Sequence, residues 1–134
     1  MQSRTFTRLM AVLLVGLFSL PAFAQYTRDK AARKKIDEAI NQHYLMMELD
    51  KAEAVLTGTI EACENKCSPQ TLAEAWMYVG IVRGSGRNDQ AGAAEAFRNA
   101  SAIHPAVKLD AALATPETQE TFAASGGTQS AGAP

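Results

Sequence analysis

The chain has 134 residues, of which 47% are hydrophobic and 20% charged, with 13 basic side chains against 14 acidic ones. The length suits one small domain, and so even a charge balance leaves no basic stripe of the kind that binds nucleic acid.

The first element is a targeting segment over residues 1–24. Arg4 and Arg8 supply a positive start, Leu9 to Leu20 is an uncharged apolar run, and Pro21 precedes Ala22-Phe23-Ala24. That small-x-small ending predicts cleavage before Gln25 and export, with the periplasm preferred over full secretion. The alternative, an uncleaved anchor, is disfavoured because 12 apolar residues fall short of the roughly 18 needed to cross a bilayer. The residue directly after the cleavage site is Gln25 rather than Cys, so no lipid anchor is expected there. The remaining 110 residues carry 11 basic and 14 acidic side chains, and no second long apolar run.

Thr27 to Glu48 contains neither Gly nor Pro, and Ala32, Ile36, Ile40 and Met47 recur at helical spacing, with Asp29 as the candidate cap. Glu48-Leu49-Asp50 reads as a tight turn, and Lys51 to Glu64 as a second helix facing inward through Ala52, Leu56, Ile60 and Cys63. Ser68-Pro69 opens a third helix with a hydroxyl cap and a proline at the first helical position, its apolar side carrying Leu72, Trp76 and Val79. Gly84 to Asp89 breaks the pattern. A fourth helix starts near Asp89 or Gln90, places Ala93, Phe97, Ala100 and Ile103 inward, and must stop before Pro105. Thr115-Pro116-Glu117 opens a short fifth helix ending near Ala124. Residues 125–134 hold no large apolar side chain and are expected to stay disordered. The fold class is all-α.

Trp76, Val79, Gly80, Ala93, Phe97 and Pro105 read W-x2-V-G…A-x3-F…P. This resembles the tetratricopeptide signature of a helix–turn–helix repeat. At an offset of 40 to 41 residues Ile36 falls on Trp76, Ile40 on Gly80, Ala52 on Ala93 and Leu56 on Phe97. The resemblance therefore spans about two repeats, Ala32 to Pro105, with Val79 in place of the usual Leu and Arg83 where Tyr is expected. It implies antiparallel helix hairpins over residues 25–124, with Thr115 to Ala124 as a capping helix. The repeat core would comprise Ile36, Ala52, Leu56, Trp76, Val79, Gly80, Ala93, Phe97, Ala100 and Pro105. Gly80 and Ala93 would let two backbones approach while Phe97 and Trp76 fill the adjoining layers.

Cys63 and Cys67 stand four apart in a compartment that oxidises thiols, which favours a structural disulfide. A redox-active pair is the weaker alternative, since the spacing is C-x3-C and no βαβ pattern surrounds it. The cysteines with His43 and His104 have no recognisable zinc spacing, so neither metal nor cofactor is expected. His43 reads as a half-buried, hydrogen-bonded residue, and His104 as a helix-end residue. Nothing in the sequence forms a catalytic constellation, and an enzyme is not expected.

The resemblance also implies a concave partner-binding face lined by the first helix of each hairpin. Here it would present Lys34, Asp37, Asn41 and Tyr44 from the first unit, and Glu74, Met77 and Ile81 from the second. Mixed charge with Tyr, Met and Ile suits a peptide or helix laid in a groove. The expected function is a non-enzymatic adaptor of the bacterial cell envelope that holds a protein partner. The alternatives are a self-associating assembly component, including a homodimer, and a Cys63/Cys67 redox protein.

Overall fold

The computed structural model describes residues 20–127, which form five packed α-helices and no β-strand. Most of the targeting segment, and residues 128–134 of the expected disordered tail, lie outside the described residues. Helix α1 (Leu20–Glu38) runs straight through the expected cleavage point and ends in a widened π-helical turn, Ala39–Tyr44. The tight turn falls earlier than the sequence suggests, at Leu45 to Met47. Helix α2 (Leu49–Cys63) then runs back along α1. Helix α3 (Pro69–Ile81) also ends in a π-helical turn, Val82–Gly86, before α4 (Gln90–Ile103) returns antiparallel to it. Helix α5 (Pro116–Ala124) packs on α4.

Three helix starts follow from local chemistry. Ser68 Oγ accepts from the Thr71 amide at 3.3 Å, Asp89 Oδ1 from Gly92 at 2.9 Å, and Thr115 Oγ1 from Thr118 at 3.4 Å. Each side chain satisfies an amide that the first helical turn leaves without a backbone partner. Pro69 and Pro116 sit where a missing N–H costs nothing. Asp29 behaves otherwise. It does not cap its own helix, which starts nine residues earlier, and its Oδ1 instead accepts from the Ser68 amide at 2.7 Å.

The core lies in two layers. Ile36, Ala39, Ala52 and Leu56 of the first hairpin meet Ala75, Val79, Val82 and Ala96 of the second. Ala73, Met77, Ile81, Ala93, Phe97 and Ala100 then meet Val107, Ala114 and Phe122 from the C-terminal part of the chain. The rings of Phe97 and Phe122 meet edge to face with centroids 5.1 Å apart, an arrangement worth about 0.5–1.5 kcal/mol beyond area burial. Gly80 is buried against Phe97, and any Cβ there would overlap the ring. That is the close approach the sequence suggests.

Two residues of the expected repeat core behave differently. Trp76 is only half-buried, spanning the seam between the two layers, and Pro105 is exposed. Pro105 ends α4 rather than packing, because a proline ring bars helical angles at His104, whose backbone is extended (φ −143°, ψ 96°).

Cys63 and Cys67 are joined by a disulfide with Cα atoms 5.0 Å apart. It closes the loop between α2 and α3, where Glu64 takes a left-handed φ of 38°, and it packs with Ala32 of α1 and Leu72 of α3. The bridge therefore ties three helices at one end of the molecule.

Candidate functional site: the face shared by α1 and α3

Helices α1 and α3 lie in contact, and the seven residues expected to bind a partner are distributed along them. The structure divides them into two groups. Lys34 and Asp37 on α1, and Asn41 in the π-helical turn that follows it, are exposed. Tyr44 and Glu74 are half-buried, while Met77 and Ile81 are 3% and 0% exposed. The open position expected for Met77 and Ile81 is thus corrected: both belong to the core.

They are buried among Ala93, Phe97 and Ala100 of α4 and among Val107, Ala114 and Phe122 of the C-terminal part of the chain. After α4 the segment from His104 to Ala114 crosses the α3 face, making tight turns at each end through Val107 N–H to His104 O and Leu113 N–H to Asp110 O. Val107 and Ala114 are buried on the Met77/Ile81 floor, and Leu109 and Leu113 pack beside them. Polar groups pin the segment along its length. The Tyr78 hydroxyl donates to Asp110 Oδ2 at 3.1 Å, and the Tyr44 hydroxyl donates to the Leu113 carbonyl at 3.2 Å. The Thr115 amide donates to Ser85 Oγ at 3.0 Å.

The electrostatics follow from this cover. Burial raises the Tyr78 phenol well above its ordinary value, and the Asp110 carboxylate beside it adds to the effect. Tyr44 is raised by burial, with the Ser85 hydroxyl partly offsetting it. Burial also raises the Glu74 carboxyl, against the pull of Arg33 and with the push of Asp37. The contact is not seamless. A cavity of about 290 Å³ remains between the segment and α3, lined by Glu74, Met77, Tyr78, His104, Val107 and Asp110 among others.

The α1 half of the face is open and carries a small excess of basic side chains. Lys30, Arg33 and Lys34, with Asp29, Asp37 and Tyr26, line a shallow concavity of about 790 Å³, three basic side chains against two acidic. On the other side of α1, Ala31, Val55, Gly58 and the disulfide line a groove of about 420 Å³ flanked by Arg28 and Lys35. At the tip of the first hairpin Leu45, Met46 and Met47 are 54%, 69% and 72% exposed, and Met47 holds a left-handed φ of 61°.

Several other ionisable groups are structural partners. His43 Nδ1 lies 2.8 Å from Glu48 Oε2, and Glu48 also pairs with Lys51. Arg83, at the position where the repeat signature has tyrosine, donates from Nε to Glu53 Oε1 at 2.8 Å. It thereby joins the two hairpins, and Arg87 adds contacts to Asp50 and Glu53. No group of three or more His, Cys, Asp or Glu side chains is placed to hold a metal ion among the described residues. None of the described helices is long and apolar enough to cross a membrane.

The sequence reading missed Tyr78 and Asp110 as members of this face, while Ser85, expected at its rim, holds the Thr115 amide there. Pro105 to Ala114 has no helical period, and its one signal is the alternation Val107, Leu109, which marks extended chain against a surface. Comparison with known protein families, with curated proteins and with solved structures gives no match to this chain.

Proposed function

We propose that this protein is a non-enzymatic interaction module of the bacterial cell envelope, holding a peptide or helix of a partner protein on the α1/α3 face. The observation that carries the reading is the side-by-side placement of α1 and α3, each the first helix of an antiparallel hairpin, with Lys34, Asp37 and Asn41 in an open strip. Two such hairpins at a 40-to-41-residue offset are what a pair of tetratricopeptide-like repeats would give, and these repeats present that face to partners. Export rests on the sequence of residues 1–24.

The test is crosslinking and pulldown from the cell envelope with mature protein tagged after Pro134, beside a Lys34→Glu/Asn41→Ala control. Both substitutions lie on exposed positions and should leave the melting temperature unchanged. One protein captured by the native chain and lost from the control supports the module. Equal capture by both removes the face from consideration. Self-association is the second reading, favoured by the exposed Leu45-Met46-Met47 tip, and recovery of the protein alone supports it.

A further inference from the structure

The α3 half of the face is occupied by an irregular segment with a turn at each end, so the molecule displays what that surface accepts. Its floor is apolar, formed by Met77, Ile81 and Phe97, and it takes up Val107 and Ala114, with Leu109 and Leu113 alongside. Its polar requirements are two phenol donors, Tyr78 for a carboxylate and Tyr44 for a main-chain carbonyl. The floor is rigid helix. The covering segment is irregular, crosses between α4 and α5, and leaves the 290 Å³ cavity beside it. Few of its residues are buried: Val107 and Ala114 are, whereas Pro105, Ala106, Lys108, Ala111 and Ala112 are exposed. Segments with few buried apolar contacts open locally at a fraction of the global unfolding free energy.

We infer that His104 to Ala114 is a displaceable strap, an internal stand-in for the partner, and that the partner segment is non-helical, with spaced apolar side chains and a carboxylate for the Tyr78 hydroxyl. This rests on the proposed α1/α3 binding face and adds its regulation. With the strap seated, only the α1 strip of Lys34, Asp37 and Asn41 is available. With it lifted, Tyr44, Met77 and Tyr78 join that strip in one surface. The partner competes with a tethered copy of its own chemistry, so its apparent affinity is reduced by the fraction of molecules in which the strap is open.

Two measurements test this. In the first, Met77→Cys provides a thiol that a maleimide reaches only when the strap lifts. Labelling should proceed well below the denaturant that unfolds the protein, and Asp110→Asn should speed it roughly tenfold, the factor one hydrogen bond to a charged acceptor carries. Labelling of the Met77→Cys thiol only at the rate of global unfolding, with or without Asp110→Asn, overturns the strap. The second measurement uses a fluorescein-labelled synthetic peptide of residues 104–115. It should bind an Asp110→Ala/Leu113→Ala protein at least tenfold more tightly than native protein, and a peptide carrying the same two changes should not. Thermal melts verify folding, and if the double variant is unfolded, Asp110→Asn alone takes its place. Equal peptide binding by native and strap variants, or none by either, overturns the partner chemistry. Neither readout uses an envelope partner, so failure of the pulldown and failure of the strap remain separate results.

Discussion

A methyl group added at Gly80 and one added at Gly58 have opposite consequences. Gly80 faces the Phe97 ring, and its Cβ would overlap ring atoms that have no free space to move into, since Phe97 is fully buried. Gly80→Ala should therefore destabilise the fold by about 1–3 kcal/mol, the range for overpacking a core. Gly58 is exposed within α2 and would meet nothing within 4 Å. Gly58→Ala should stabilise by roughly 0.5–1 kcal/mol, because alanine has less backbone freedom to lose. For a domain this size each kcal/mol moves the melting temperature by about 4–8 °C, so paired thermal melts separate the two signs. The Gly80 contact was legible from the G…A-x3-F spacing. The half-exposure of Trp76 was not, because its position on the seam depends on how two hairpins meet rather than on any spacing within one.

At the level of elements, the loop between α2 and α3 shows where tertiary contacts replace local rules. Its disulfide closes a very short loop, for which the chain-entropy model gives about 2 kcal/mol. Replacing both cysteines with serine should cost about that much in a denaturant melt. The loss should register first in hydrogen exchange of the last turn of α2 and the first turn of α3. Ser68 and Pro69 announced that turn in the sequence, as Thr115 and Pro116 announced α5, because capping is chemistry between near neighbours. The Asp29 carboxylate that meets the Ser68 amide comes from 39 residues away, and no local pattern encodes it. The same limit hid the strap. Its two phenol anchors join α1 and α3 to a segment with no period of its own. These phenols also give a pH dependence. The Tyr78 phenol is raised in the folded state, so the unfolded chain ionises first, near pH 10. Its contribution to stability is complete below about pH 10 and declines as pH rises beyond it. Stability measured by urea titration should fall above that pH, and Tyr78→Phe should make the fall shallower. An identical alkaline slope in the variant would show that Tyr78 is not responsible.

Over the whole molecule, charge is divided as unevenly as the proposed binding face is. Arg28, Lys30, Arg33, Lys34 and Lys35 give α1 five basic side chains against three acidic ones, while the chain after Glu38 has six against eleven. All five are exposed, and Lys30, Arg33 and Lys34 line the half of the face that the strap leaves open. On the proposed reading, a partner approaching the closed form would meet positive charge first and the apolar floor only after the strap lifts. Electrostatic attraction of this kind acts mainly on the rate of encounter, and salt screens it. Lys30→Glu/Lys34→Glu should slow association with a captured partner without changing the melting temperature. In about 1 M salt, where the screening length is roughly 3 Å, native and variant rates should converge. Dissociation should respond to the strap instead, with Asp110→Asn altering residence time while leaving the salt dependence of association intact. If the charge reversal changed only dissociation, the basic face of α1 would be a bystander to recognition, and the first contact would have to lie on another surface.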